Sequence, residues 1–270
     1  MSEEPRPKRP TIDELRAVVQ PDAVLSRSNA EHWTGTLYMR RLSIHLTYLW
    51  VRTPLSANSV TALMVVIGFL AGPALLLPGM WGPIVAALCA QLQMFIDCSD
   101  GEVARWRRTM GPKGIFLDQI GHFAAEGSLG LFLGLKAAGW PSAEPDMTYV
   151  FLGALLLAAI WFNKSLNMMV TLARTNAGLP KLPDEAGVRQ ISGGGLLARL
   201  RAVARFVPFH RIFHSIELTL LTIVVGIGAL LAPDASAVWQ GYVVALTVVI
   251  WVVIVGHFAA IWKSPRLASR

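Results

Sequence analysis

Residues 97–122 read D-C-S-D-G-E-V-A-R, eight residues, G-I-F-L-D, three residues, H, which sets acidic groups inside hydrophobic sequence. Ionisable residues in apolar segments are costly to insert and by default mark a functional site. On helices, Asp97, Asp100 and Ala104 fall at i, i+3 and i+7, while Gly114, Asp118, His122 and Glu126 follow at intervals of four, so each set shares one face. Two such faces turned together line a cavity with carboxylates. Clustered carboxylates resist ionising beside one another unless a cation holds them. All-oxygen ligation by Asp97, Asp100 and Asp118 suits Mg²⁺ or Mn²⁺ better than Zn²⁺, and a hard cation of this kind commonly binds phosphate oxygens. Gly101 and Gly114 leave helix backbone bare and Ala104 adds only a methyl, so a base or ribose can lie close to both helices. Arg105, just beyond Asp100, can fork onto a phosphate. These parts describe a metal-dependent nucleotide diphosphate site.

The elements that must position these residues are apolar. Of 270 residues 54% are hydrophobic and 15% charged, and the mean hydropathy of +0.50 is too high for an ordinary soluble domain. Windows of roughly 20 apolar residues fall near 57–78, 82–104, 115–138, 147–173, 212–232 and 237–262. The expected fold is an all-α integral membrane protein with six transmembrane helices.

The basic residues set an orientation on that scheme. Eight precede the first window, four lie between the second and third, seven between the fourth and fifth, and three follow the last. The other connections hold none. By the positive-inside rule both termini, and the mouth of the 97–122 site, face the cytoplasm of a multi-pass protein of the cell membrane. The net charge of +7 then reads as topology and contact with anionic lipid. No basic stripe is interleaved with exposed aromatics, so nucleic acid is not an expected partner.

Three regions follow. Residues 1–31 form a cytosolic segment in which Thr11 and Glu14 make a capping box for a short helix near 12–20. Residues 32–55, with Leu37, Leu42, Leu49 and Trp50 among Arg40, Arg41 and Arg52, suit an amphipathic helix lying in the membrane interface and ended by Pro54. Residues 56–270 hold the spans, interrupted by one long cytosolic loop at 174–211 whose stretch 196–205 is basic and apolar. Cys89 and Cys98 lie nine residues apart on one expected helix, too far for a disulfide within it.

The pattern D-x2-D-G-x2-A-R-x8-G-x3-D-x3-D is the signature of the CDP-alcohol phosphotransferases, and the chain resembles that family at Asp97, Asp100, Gly101, Ala104, Arg105, Gly114 and Asp118. From average composition, seven of eight such positions match by chance on the order of 10⁻⁵ of the time in a chain this long, so the motif is specific. A T-P-x-x-x-N-x-x-T approach at Thr53, Pro54, Asn58 and Thr61 extends the resemblance. It implies transfer of a phosphoryl-alcohol, such as a phosphatidyl group, from a CDP-alcohol to an acceptor alcohol or alcohol phosphate. CMP is released, in phospholipid or polyol-phosphodiester synthesis. It also implies two ions, Mg²⁺ or Mn²⁺, held by Asp97, Asp100 and Asp118, and a CDP portion in contact with Gly101, Ala104, Arg105, Gly114, Asn58 and Thr61. A homodimer is implied as well.

The chain departs from the pattern at His122, where the family has a fourth aspartate that acts as acceptor base and ligand of the second metal. An imidazole can serve as either, with an ordinary pKa of about 6.5 and a nitrogen that binds Mn²⁺ or Zn²⁺ but is a poor partner for Mg²⁺. Asp118 and His122 are thus the expected catalytic pair, and Glu126, one turn on, offers a replacement carboxylate. Two other classes compete: a non-enzymatic relative that keeps the nucleotide site, and a transporter whose aspartates bind ions. The lack of an internal repeat weighs against the transporter.

Other polar residues have two readings each. Asn163, Lys164 and Asn167 either line an acceptor pocket or bond between helices, Lys164 pairing with Glu126. His214 and Glu217 open the fifth window and either point into the same cavity or stand as satisfied interface residues, and His257 reads as a packing or interfacial residue. Arg174, Arg189, Arg201, Arg205 and Arg211 either hold an anionic acceptor or serve topology alone. Gly68 with Gly72, and Gly130 with Gly134, make small-residue faces for packing within or between subunits.

Overall fold

The computed structural model describes residues 6–7, 9–21, 34–180 and 211–268, and the described residues form helices joined by short connections, without strands. Helix α1 spans Ile12–Val19, and a π-helical turn at Gly35–Met39 leads into α2, Arg40–Val51. There follow α3 (Ala57–Ala74), α4 (Trp81–Arg107), α5 (Pro112–Ala137), α6 (Met147–Asn176), α7 (Ser215–Leu231) and α8 (Ala235–Trp262). Each of the six apolar windows therefore carries a helix. Four of them, α3, α4, α6 and α8, are long and apolar enough to cross a membrane, which points to a membrane protein. Helix α7, at 17 residues, is shorter, and α5 carries Lys113, Asp118, Glu126 and Lys136 along its apolar sequence.

Local chemistry sets the helix ends. The Thr11 hydroxyl accepts from the Glu14 amide while the Glu14 carboxylate accepts from the Thr11 amide, the expected capping box. Ser56, Asp146 and Asp234 cap α3, α6 and α8 with side-chain oxygens. Helix α4 stops at Arg108 in the left-handed region (φ 56°), and α5 restarts after Gly111 with Pro112 in its first turn. The α4–α5 connection is thus short and folds the two halves of the motif onto each other.

Small residues bring the helices close. A Cβ at Gly68 would lie 2.9 Å from the Ala125 Cβ, and one at Gly72 would run into Ser128 of α5. Gly134 of α5 and Gly153 of α6 meet backbone to backbone. Both small-residue faces are therefore used inside the subunit. Leu129, Leu133, Leu156, Ile160 and Val243 fill the core between them, while Phe151, Leu88, Val252 and Val255 stay exposed on the outer surface.

The N-terminal helices dock on the C-terminal end of α4. Leu15 and Val19 of α1 pack with Ile44 and Val51 of α2 against Val103 and Trp106. On α2 the outer face carries exposed Leu42 and Leu49, and the inner face buries Ser43 and Thr47 as well as Ile44. The residues expected to begin this helix, 32–33, and the basic apolar stretch 196–205, with Arg189, Arg199, Arg201 and Arg205, lie outside the described residues. Cys89 and Cys98 are free thiols.

Candidate metal centre

Asp97 and Asp100 stand on the last three turns of α4, and Asp118 and His122 on the first three of α5. The hairpin turns their faces together. His122 Nε2 lies 3.6 Å from Asp97 Oδ1 and 3.5 Å from Asp118 Oδ1. One ligand atom from each of the three residues falls within 4.8 Å of the others. Both His–Asp separations exceed the 2.7–3.2 Å usual for an N–H···O bond. The three side chains remain 20–33% accessible, so the cluster is open on one side.

Asp100 belongs to the same neighbourhood but stands outside that converging trio. It is 8% exposed, with Thr61 of α3 beside its carboxyl, and its buried Oδ2 has no hydrogen-bond partner. A buried carboxylate oxygen without a donor is costly unless something positive meets it. Two carboxylates and an imidazole from facing helices, with a third carboxylate oxygen orphaned beside them, fit a divalent cation.

The residues expected around a nucleotide are placed as follows. Asn58 is exposed, and its Oδ1 lies 3.4 Å from where a Cβ at Gly114 would sit, so α3 and α5 are neighbours here. The Arg105 guanidinium folds back over Gly101, and its Nε donates to the Val19 carbonyl at 2.9 Å. Ala104 packs at the edge of the cluster that docks α1.

Glu126 goes elsewhere. Both its oxygens accept from Lys164 Nζ of α6, at 2.7 and 2.8 Å, and His214 Nδ1 at the head of α7 stands 3.6 Å away. Asn163 Oδ1 lies 2.9 Å from His257 Nδ1, Asn167 Oδ1 accepts from Arg266 at 3.1 Å, and Arg174 donates to the carbonyls of Pro180 and Arg266. For Asn163, Lys164 and Asn167 the interhelical reading holds, and the Lys164–Glu126 pair is the anticipated one. Glu217 falls in the first turn of α7, and Arg211 just ahead of it.

One group was missed. Glu102, fully buried, accepts from Gln20 Nε2 at 2.8 Å, Ser43 Oγ at 2.7 Å and Thr47 Oγ1 at 2.6 Å, with Arg40 Nη1 at 3.6 Å. The available signal was its position five residues after Asp97, which turns it about 140° away from the cluster and obliges it to find its own donors.

No protein-family model matches the chain, and no curated protein matches it.

Proposed function

We propose that this chain is an integral-membrane CDP-alcohol phosphotransferase. The helices of the six apolar windows, α3 to α8, would all cross the bilayer, with α2 in the interface and both termini and the site on the cytoplasmic side of the cell membrane. The observation that carries the reading is the convergence of Asp97, Asp118 and His122 across the α4–α5 hairpin, at the spacing of the motif. Asp97, Asp118 and His122 would hold one divalent cation, and Asp100 would help hold a second. Such ions supply charge neutralisation of the pyrophosphate and of departing CMP.

The chain's own residues do the rest. Gly101 and Gly114 would contact the CDP portion from α4 and α5, and Asn58 and Thr61 would complete that site from α3. Arg105 lies at its rim. The acceptor oxygen bonds to the β-phosphorus as the bond from that phosphorus to the CMP oxygen breaks, and the acceptor's proton passes to a base at the cluster. The apolar outer surface would leave the donor's alcohol portion within reach of lipid, and a second copy of the chain would complete a homodimer.

The test is a CMP-release screen of the purified protein, with CDP-diacylglycerol and soluble CDP-polyols crossed against alcohols and alcohol phosphates. One CMP per donor consumed, abolished by a chelator and restored by Mg²⁺ or Mn²⁺, is the expected result. Binding of a CDP-alcohol without CMP release from any pairing would instead mark a non-enzymatic relative.

A further inference from the structure

Two features of the cluster bear on His122: the nitrogen it presents, and the size of the gap that nitrogen faces. Nε2 is the atom turned to both carboxylates, at 3.5 and 3.6 Å, too far from either for a good hydrogen bond. Donor atoms bound to one cation at roughly 2.1–2.2 Å stand roughly 3.0–3.6 Å apart in octahedral or tetrahedral arrangements. The two His–Asp separations, 3.6 and 3.5 Å, lie at the tetrahedral end of that spacing. The orphaned Oδ2 of Asp100, on a side chain 8% exposed, is an independent sign that positive charge belongs in the neighbourhood.

We infer that His122 is a metal ligand through Nε2, which makes this an imidazole–dicarboxylate centre selective for Mn²⁺ or Zn²⁺ over Mg²⁺. The inference rests on the reading of the cluster as the metal centre of a phosphotransferase, and it deepens that reading. Replacing a carboxylate by an imidazole removes one negative charge and adds a softer donor. Both changes disfavour Mg²⁺, which prefers oxygen and keeps its waters, and favour the later divalent metals. A lone pair given to a cation cannot also accept a proton, so Nε2 as a ligand is excluded as the acceptor base. That role then falls to another group of the cluster or to the other ring nitrogen.

The experiment uses the full-length protein in nanodiscs, stripped of metal and loaded with one equivalent of Mn²⁺. Pulsed electron paramagnetic resonance should show coupling to one directly bound imidazole nitrogen. Growth on ¹⁵N-histidine should shift that coupling in the wild-type protein, so the result does not depend on any variant folding. His122→Asp should keep Mn²⁺ and lose the nitrogen coupling, and it should release Mn²⁺ at Mg²⁺ concentrations at least about tenfold lower than the wild type requires. Mn²⁺ bound without histidine coupling, or equal displacement by Mg²⁺ in both proteins, overturns the inference. The two readings fail separately. CMP release with no histidine coupling removes the ligand assignment alone, and histidine coupling with no CMP release from any donor removes the transferase.

Discussion

Helix α4 carries acids of two kinds, and the molecule treats them in opposite ways. Glu102 has 0% exposure and four partners, drawn from α2 and from Gln20 just beyond α1. Asp97 and Asp100, less than two turns away, have far fewer: Asp97 meets His122 at 3.6 Å, and one oxygen of Asp100 has no partner. Glu102 is a satisfied charge that ties the N-terminal helices to the core, and its removal leaves donors buried without an acceptor. The aspartates keep charge that their neighbours leave partly unmet. Their unmet charge costs stability and is useful only to something that binds.

The contrast is broken most sharply by alanine substitutions of the two kinds of acid. Asp97→Ala or Asp118→Ala should lower Mn²⁺ affinity and CMP release by more than about 100-fold, beyond what loss of an outer partner of a ligand costs, while the thermal midpoint stays level or rises. Glu102→Ala should do the reverse, losing about 3 kcal/mol or more of stability as a buried partner is removed. Metal titration and thermal unfolding, run on the same samples, decide it. Equal destabilisation by the two kinds of substitution would erase the distinction.

The Lys164–Glu126 pair sharpens the comparison from a third position. Lys164→Ala leaves Glu126, 5% exposed, as a buried charge without its cation, and should cost about 3 kcal/mol. The double variant Lys164→Met, Glu126→Leu should recover most of that loss, because an apolar pair replaces a buried ion pair at little cost. A double-mutant cycle read by chemical unfolding gives the coupling. Additive losses would show that the two groups do not act as a pair.

The smallest effect belongs to an exposed acid. At Glu14 the backbone N–H and hydroxyl of Thr11 stabilise the carboxylate and hold its pKa below the ordinary glutamate value. The stabilisation is present above the unfolded pKa and is lost as pH falls through the lowered folded value. Hydrogen exchange of the α1 amides, taken relative to the intrinsic exchange rate at each pH, should therefore quicken at acid pH in the wild type. In Glu14→Ala it should be faster at neutral pH and respond less to acid. An identical acid response in both proteins would remove the capping box as its source.

Helical periodicity made the faces of α4 and α5 legible from sequence, because a 3.6-residue repeat puts Asp97 with Asp100 and Asp118 with His122 whatever surrounds them. The capping box at Thr11 and Glu14 was local chemistry of the same kind. Spacing along a helix names the face a residue shares and not the neighbour it meets. Glu126 lies on the face of Asp118 and His122, yet the proximity of α6 gives it to Lys164, 38 residues away. Glu102 finds its donors 55 to 82 residues distant, through the docking of α1 and α2. Asp100 shares its helix face with Asp97, but the approach of α5 leaves it outside the trio. The sequence by itself determined an apolar helical chain with its ionisable groups set on particular faces, since hydropathy and periodicity act within a few residues. Which of those groups stand satisfied and which are left to bind was decided only by helix packing, since small residues such as Gly72 and Gly134 set how closely side chains far apart in the chain can approach.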